Sequence, residues 1–154
     1  MVRRALLRAA VAGSGIAAAF AAGLLVPLRV LAGEWPKAAF EARDVATALD
    51  QAGVTNPATT ENLLIRAPEI AENGAQVPIE ITSNIPGTQS IFIFVDKNPQ
   101  PLAGSFEFMN GAEPFISTRI KMGETSNLRV VANAGGKYFM VSQEVKVTIG
   151  GCGE

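Results

Sequence analysis

The chemistry open to this chain comes down to one thiol. Among 154 residues there is a single cysteine, Cys152, and no histidine. Gly150 and Gly151 precede the cysteine, and Gly153 and Glu154 follow it. A cysteine used for packing sits inside an apolar run. Here the run Glu144-Val145-Lys146-Val147-Thr148-Ile149 finishes before the cysteine is reached. Glycine adds no side-chain bulk and admits nearly any backbone dihedral. Residues 150–154 are therefore expected to form a mobile arm with the thiol near its tip. Three extended residues past Ile149 carry that thiol about 10 Å.

What the thiol can do is bounded by what the chain lacks. One cysteine cannot close a disulfide within the chain, and without histidine no Cys–His pair can activate a nucleophile. Acid, base or metal must then come from another protein, which favours a carrier over an enzyme. An autonomous thiol enzyme using a carboxylate or lysine as base is disfavoured but stays open. So do an incidental free thiol and an intermolecular disulfide, the usual fate of an odd cysteine in an exported protein. Prenylation needs the cysteine fourth from the end, and Cys152 is third. A free cysteine titrates around 8.5 and reacts as the thiolate. Nothing cationic adjoins Cys152, and Glu154 favours the neutral thiol. A thiol slow to react in solution, and activated in a partner's positively charged pocket, suits a carrier.

The elements that must position the thiol begin with a separate leader. Residues 1–32 contain Arg3, Arg4, Arg8 and Arg29 and no acid. Without them, nine basic residues face fourteen acidic ones, a balance that argues against a nucleic-acid surface. Val2-Arg3-Arg4-Ala5-Leu6-Leu7-Arg8 resembles a twin-arginine export signal, followed by an Ala/Gly-rich run ending at Pro27. Val30-Leu31-Ala32 supplies small or short residues for cleavage after Ala32. The expected location is the periplasm. An uncleaved membrane anchor is the alternative, since the run is just long enough to span, but no stable anchor is expected.

Residues 33–149 form the expected carrier domain. Phe40, Val45, Ala48 and Leu49 recur at helical spacing, so residues 37–52 are expected to be one amphipathic helix stopped by Gly53. From Leu63 the period changes to two. Strands are expected over 63–66, 76–82, 91–95, 105–109, 115–121, 127–132, 138–142 and 144–149. The continuous apolar run over 91–95 reads as a strand buried on both faces. Residues 68–74, opening on Pro68 and closing on Asn73-Gly74, read as a turn, and Gly135-Gly136 as a hairpin turn. Short strands with turn signals every 8–12 residues indicate a mainly β protein, a β-sandwich with one N-terminal helix. Carboxylates are scattered, so neither a metal cluster nor an acid–base couple is expected.

Four internal blocks carry a family resemblance. They are Ala67-Pro68-Glu69-Ile70-Ala71-Glu72-Asn73-Gly74 with Val77-Pro78, and Lys97-Asn98-Pro99 with Pro101-Leu102. Next comes Thr118-Arg119-Ile120-Lys121-Met122 with Glu124-Thr125-Ser126, and last Val145-Lys146-Val147-Thr148 with Gly150-Gly151-Cys152-Gly153. With these blocks the chain resembles the SoxY family, the sulfur-carrying subunits of thiosulfate oxidation. The resemblance implies an immunoglobulin-like sandwich and a heterodimer with a SoxZ-like subunit. It implies that Cys152 is the sulfur attachment point, holding thiosulfate-derived adducts, with no other cofactor. The partner enzymes implied are a haem-containing thiosulfate-coupling enzyme, a sulfate-releasing hydrolase and a sulfane dehydrogenase. The family motif usually ends in two glycines after the cysteine, and here the second position is Glu154. An anionic, bulkier tip changes how the arm enters enzymes built for glycine.

Overall fold

Alternation of apolar and polar residues decides most of the architecture, because successive side chains on a strand point to opposite faces. The computed structural model describes residues 36–148. The leader at 1–32, and Gly150, Gly151, Cys152 and Gly153 of the expected arm, lie outside the described residues. Two helices come first, α1 (Lys37–Glu41) and α2 (Val45–Gln51). Nine strands follow: β1 (Ala58–Thr59), β2 (Leu63–Arg66), β3 (Ile70–Ala71), β4 (Val77–Ser83) and β5 (Thr88–Val95), then β6 (Leu102–Glu107), β7 (Phe115–Ile120), β8 (Ser126–Ala134) and β9 (Lys137–Val147).

The strands form two sheets. The larger runs β1-β9-β8-β5-β6, with β3 also paired to β9, and the smaller runs β2-β4-β7. On β4, Val77, Ile79 and Ile81 are buried between the sheets while Pro78 and Glu80 point outward. Facing them across the core are Ile91, Ile93 and Val95 of β5 and Leu128, Val130 and Ala132 of β8. The expected β-sandwich is present. The 91–95 run is buried on both faces, as its unbroken hydrophobicity predicts. Phe92 and Phe94 turn away from the sandwich core and pack with Val131, Leu102 and the helix residues Ala39 and Ala48. Their rings lie 6.5 Å apart and tilted, within the range where aromatic pairs attract.

The structure corrects three details of the sequence reading. The helical segment over 37–52 is divided, because Ala42 is extended and Asp44 caps a new helix. The Asp44 carboxylate accepts from the Thr47 backbone N–H at 2.8 Å and from the Thr47 hydroxyl at 2.7 Å. These bonds satisfy a donor that the helix start leaves free, and they hold the Asp44 carboxyl below its ordinary value. The break lets both short helices lay alanines flat on the sheet, with Ala39 and Ala48 fully buried. Gly53, at φ +74°, stops α2 as expected.

The second correction is that residues 138–149 do not make two strands. Lys137–Val147 is one strand, paired to β8 without interruption from Ala134↔Lys137 to Ser126↔Val145. Gln143, left between the two expected strands, is a ladder member opposite Leu128. The hairpin turn at Gly135-Gly136 is confirmed, both glycines having positive φ. The third correction concerns 68–74, which contains strand β3 as well as a turn.

One ion pair ties β5 to β8 on the helix side of the larger sheet. Arg129 Nε and Nη2 donate to the two Asp96 carboxylate oxygens at 2.6 and 2.8 Å. Both side chains are largely shielded, and the Arg129 guanidinium is held above its ordinary value by its hydrogen bonds to Asp96. A bidentate pair of this kind is stronger and better oriented than a single contact.

Candidate functional site: the root of the cysteine segment

Cys152 follows Thr148 by four residues, so the described part of the site is the end of β9 from which that segment continues. Strand ends commonly fray, but here every backbone donor from Lys146 to Thr148 is engaged. On one side β3 runs parallel to β9, in register Ile70↔Lys146 and Ala71↔Val147. Lys146 N–H donates to the Glu69 carbonyl at 2.9 Å, and Thr148 N–H donates to the Ala71 carbonyl at 3.1 Å. The Thr148 hydroxyl donates to the Glu72 carbonyl at 3.1 Å. On the other side Val147 N–H donates to the Thr125 hydroxyl at 3.0 Å. Three residues before Lys146 on the same strand, Gln143 Nε2 donates to the Ala67 carbonyl at 3.1 Å.

The loops that make these contacts are themselves held. Asn73 Oδ1 accepts from Ala75 N–H at 2.8 Å, closing a local turn, and the Gly74 carbonyl accepts from Met122 N–H at 2.7 Å. Met122 is fully buried. Asn98 spans the next loop, donating to the Lys121 carbonyl at 2.7 Å and accepting from Gly123 N–H at 3.0 Å. Lys97 N–H donates to the Ser126 hydroxyl at 3.0 Å. The exposed Lys97–Glu124 pair at 3.7 Å adds little, as exposed pairs do.

Four blocks scattered through the sequence therefore meet at one end of the sandwich. Residues 67–74, 97–98 and 121–126 form a clamp around the end of β9 at 145–148. Taken singly, Pro68, Asn73 and Gly74 read as turn-formers, and in the sequence nothing marks them as partners of β9. A two-residue strand carries too little periodicity to detect, and β3 pairs with residues 76 positions later. Within the clamp, the hydroxyls of Thr125 and Thr148 take bonding roles that the sequence reading, which quoted both residues only within longer runs, did not assign. Replacing both by valine is expected to speed hydrogen exchange of the Val147 and Thr148 amides about tenfold. Each lost bond is worth about 0.5–1.5 kcal/mol, and strand ends open locally without global unfolding. Unchanged exchange at both amides would show that the backbone pairing to β3 alone holds the root.

No group of three or more acids, cysteines or histidines among the described residues is placed to hold a metal. No helix among them is long and apolar enough to cross a membrane. No buried side-chain polar atom among them lacks a hydrogen-bond partner.

The comparisons with known proteins agree with this architecture. The sequence model of the sulfur oxidation protein SoxY matches residues 49–152, a span that reaches Cys152. The chain belongs to the SoxY family. Among solved structures it is similar to the sulfur carrier protein SoxY from Chlorobium limicola f thiosulfatophilum, at 42% identity and a TM-score of 0.59. That match covers 68% of this chain and 99% of the other. No curated protein sequence matches. SoxY membership supports a sulfur carrier role.

Proposed function

We propose that this chain is a covalent carrier of sulfur intermediates in thiosulfate oxidation, with Cys152 as the attachment point. The observation that supports this most directly is the placement of the lone thiol four residues beyond a strand end that is hydrogen-bonded on both sides. A fixed origin with a short glycine-containing segment beyond it, Gly150-Gly151-Cys152-Gly153, presents a thiol at a defined radius while leaving its bulk small. The chain supplies the attachment atom and partners supply the chemistry.

In the loading step the Cys152 sulfur bonds to the terminal sulfur of thiosulfate. The thiol proton is released and two electrons pass to the haem of a partner enzyme, leaving a cysteine S-thiosulfonate. In the next step a hydrolase adds water across the sulfur–sulfonate bond. Sulfate and a proton leave, and a persulfide stays on Cys152. Where a sulfane dehydrogenase is present, it oxidises that remaining sulfur to a sulfonate, taking three oxygens from water, releasing seven protons and accepting six electrons itself; a second hydrolysis then releases sulfate and a proton and returns the free thiol. We further propose export to the periplasm by the twin-arginine route and pairing with a SoxZ-like subunit.

Intact-mass spectrometry of the protein from its native compartment, before and after mild reductant, tests the carrier role. Reductant-labile mass matching sulfur, sulfite or thiosulfate is the expected result. A mass of two chains that collapses to one, with no sulfur-oxyanion adduct, would instead support an intermolecular disulfide. Glu154 bears on docking rather than on attachment. Glu154→Gly is expected to leave loading by a partner enzyme unchanged or raised by up to a few fold, read as adduct formed per minute. A large loss would make Glu154 a recognition element.

A further inference from the structure

We propose that the exposed Ile70, with Glu69 and Glu72 on either side of it, is a docking surface for the cationic rim of the enzyme that loads Cys152. The inference rests on the carrier reading and adds the contact by which the partner holds the domain. Large apolar side chains are exposed at Leu64, Ile70, Met109 and Phe115 among the described residues, and Ile70 is 57% exposed. A single exposed apolar residue is ordinary, so its place in the fold decides. Leu64 and Phe115 flank Thr82 at one end of the smaller sheet. Met109 follows β6, whose last residues pair with the start of β5, near the hairpin turn where β9 begins. Those three lie at the far end of the sandwich. Ile70 lies where β9 finishes, in register with Lys146.

The length of chain beyond Thr148 forces contact at this end. Cys152 lies four residues past Thr148, a reach of at most about 13 Å. Thr148 is itself bonded to Ala71 and Glu72. Sites for small molecules are concave and enclose most of what they hold. An enzyme that encloses the Cys152 sulfur therefore brings its rim against the residues around Thr148. Ala71 turns into the core there and leaves Ile70 outside.

Charge gives that rim its sign. Glu69 and Glu72 are exposed and make no ion pair among the described residues. The cation beside them is Lys146, so two carboxylates stand against one ammonium. On the other flank Glu124 is paired with Lys97, and Lys121 is exposed. Negative charge is therefore concentrated on the Ile70 side. An enzyme that binds thiosulfate, a dianion, needs cationic groups around its site, and a field of one sign reaches past the pocket and steers what approaches. The carboxylates meet that field, and Ile70 supplies an apolar centre from which water is excluded. Rim charges act on association and its salt dependence, whereas a desolvated contact acts on dissociation.

The test measures loading of the full chain by its haem-containing coupling enzyme with thiosulfate, as adduct formed per minute at varied carrier concentration. At about 0.01 M salt, E69Q/E72Q is expected to lower kcat/KM about five- to tenfold through KM, with kcat within about twofold of the parent. Raising salt to about 0.1 M shortens the Debye length from about 30 to about 10 Å. Over that range the parent is expected to lose several-fold in kcat/KM, and E69Q/E72Q less than about twofold. I70S is expected to raise KM several-fold at both salts. E107Q/E113Q removes the same charge at the far end and is expected to match the parent. Reaction of Cys152 with a neutral disulfide reads the thiol without a protein partner, and its rate is expected to be equal in all of these chains. Parental KM and salt dependence in E69Q/E72Q and I70S would overturn the dock and leave the carrier reading standing. So would an equal loss in E107Q/E113Q, which marks net charge rather than place, or unequal thiol reactivity, which puts the effect in the root itself. A parent chain that gains no sulfur adduct from the enzyme and thiosulfate would overturn the carrier reading and the dock with it.

Discussion

Cys152→Ser is expected to abolish sulfur loading completely while leaving the fold intact. A serine oxygen cannot form the sulfur–sulfur bond on which every adduct depends, and the chain has no other cysteine to substitute. The fold should not register the change, because no described residue of the core lies beyond Val147. The check has two parts. Incubation with thiosulfate and the coupling enzyme should add no mass to the variant, and thermal unfolding should overlay that of the parent. Residual loading would place the attachment elsewhere. An altered midpoint would mean that Cys152 packs against the domain.

Phe94→Ala is expected to have the largest effect on stability. Phe94 is fully buried and joins the helices to the larger sheet, with Phe92, Leu102, Val131 and Ala48 in the same cluster. Removing a buried phenylalanine side chain costs about 3–5 kcal/mol, from lost burial plus the cavity left behind. For a domain of this size that corresponds to a fall in midpoint of about 10–20 °C. The damage lies on the opposite face of the larger sheet from the sandwich core. The clamp, built from 67–74, 97–98 and 121–126, contains no residue of this cluster. Below the midpoint the variant is therefore expected to load sulfur at the parental rate. A drop of less than 1 kcal/mol in chemical unfolding would show that the helices contribute little to cooperativity. A loading defect in the folded variant would show that the helix layer communicates with the end of β9.

How far the sequence leads differs between the two ends of the problem. The mainly β sandwich is legible because alternation on 77–83 and the unbroken apolar run on 91–95 are local patterns, each contained in fewer than ten residues. Turn chemistry is equally local. Gly53 and Gly135-Gly136 sit where positive φ is needed, and glycine tolerates it without steric cost. The thiol could be singled out by counting alone, since a lone cysteine among glycines in a chain without histidine leaves few roles.

Local patterns failed where tertiary contacts decide. Helical periodicity over 37–52 continues across Ala42 to Asp44, and only packing on a twisted sheet, together with the Asp44 cap, turns one helix into two. Gln143 reads as a break between two strands, but β8 on one side and Ala67 on the other hold it in one continuous strand. The composition of residues 150–154 and the identity of Cys152 belong to the sequence by itself. The clamp at their root belongs to the tertiary structure. Its bonds to the end of β9 join positions separated by 22 to 77 residues, and no periodicity in a chain reports a pairing over such a distance. The strand end must be held by main-chain carbonyls and hydroxyls, groups that nearly every segment possesses, so their partners become visible only once the chain has folded.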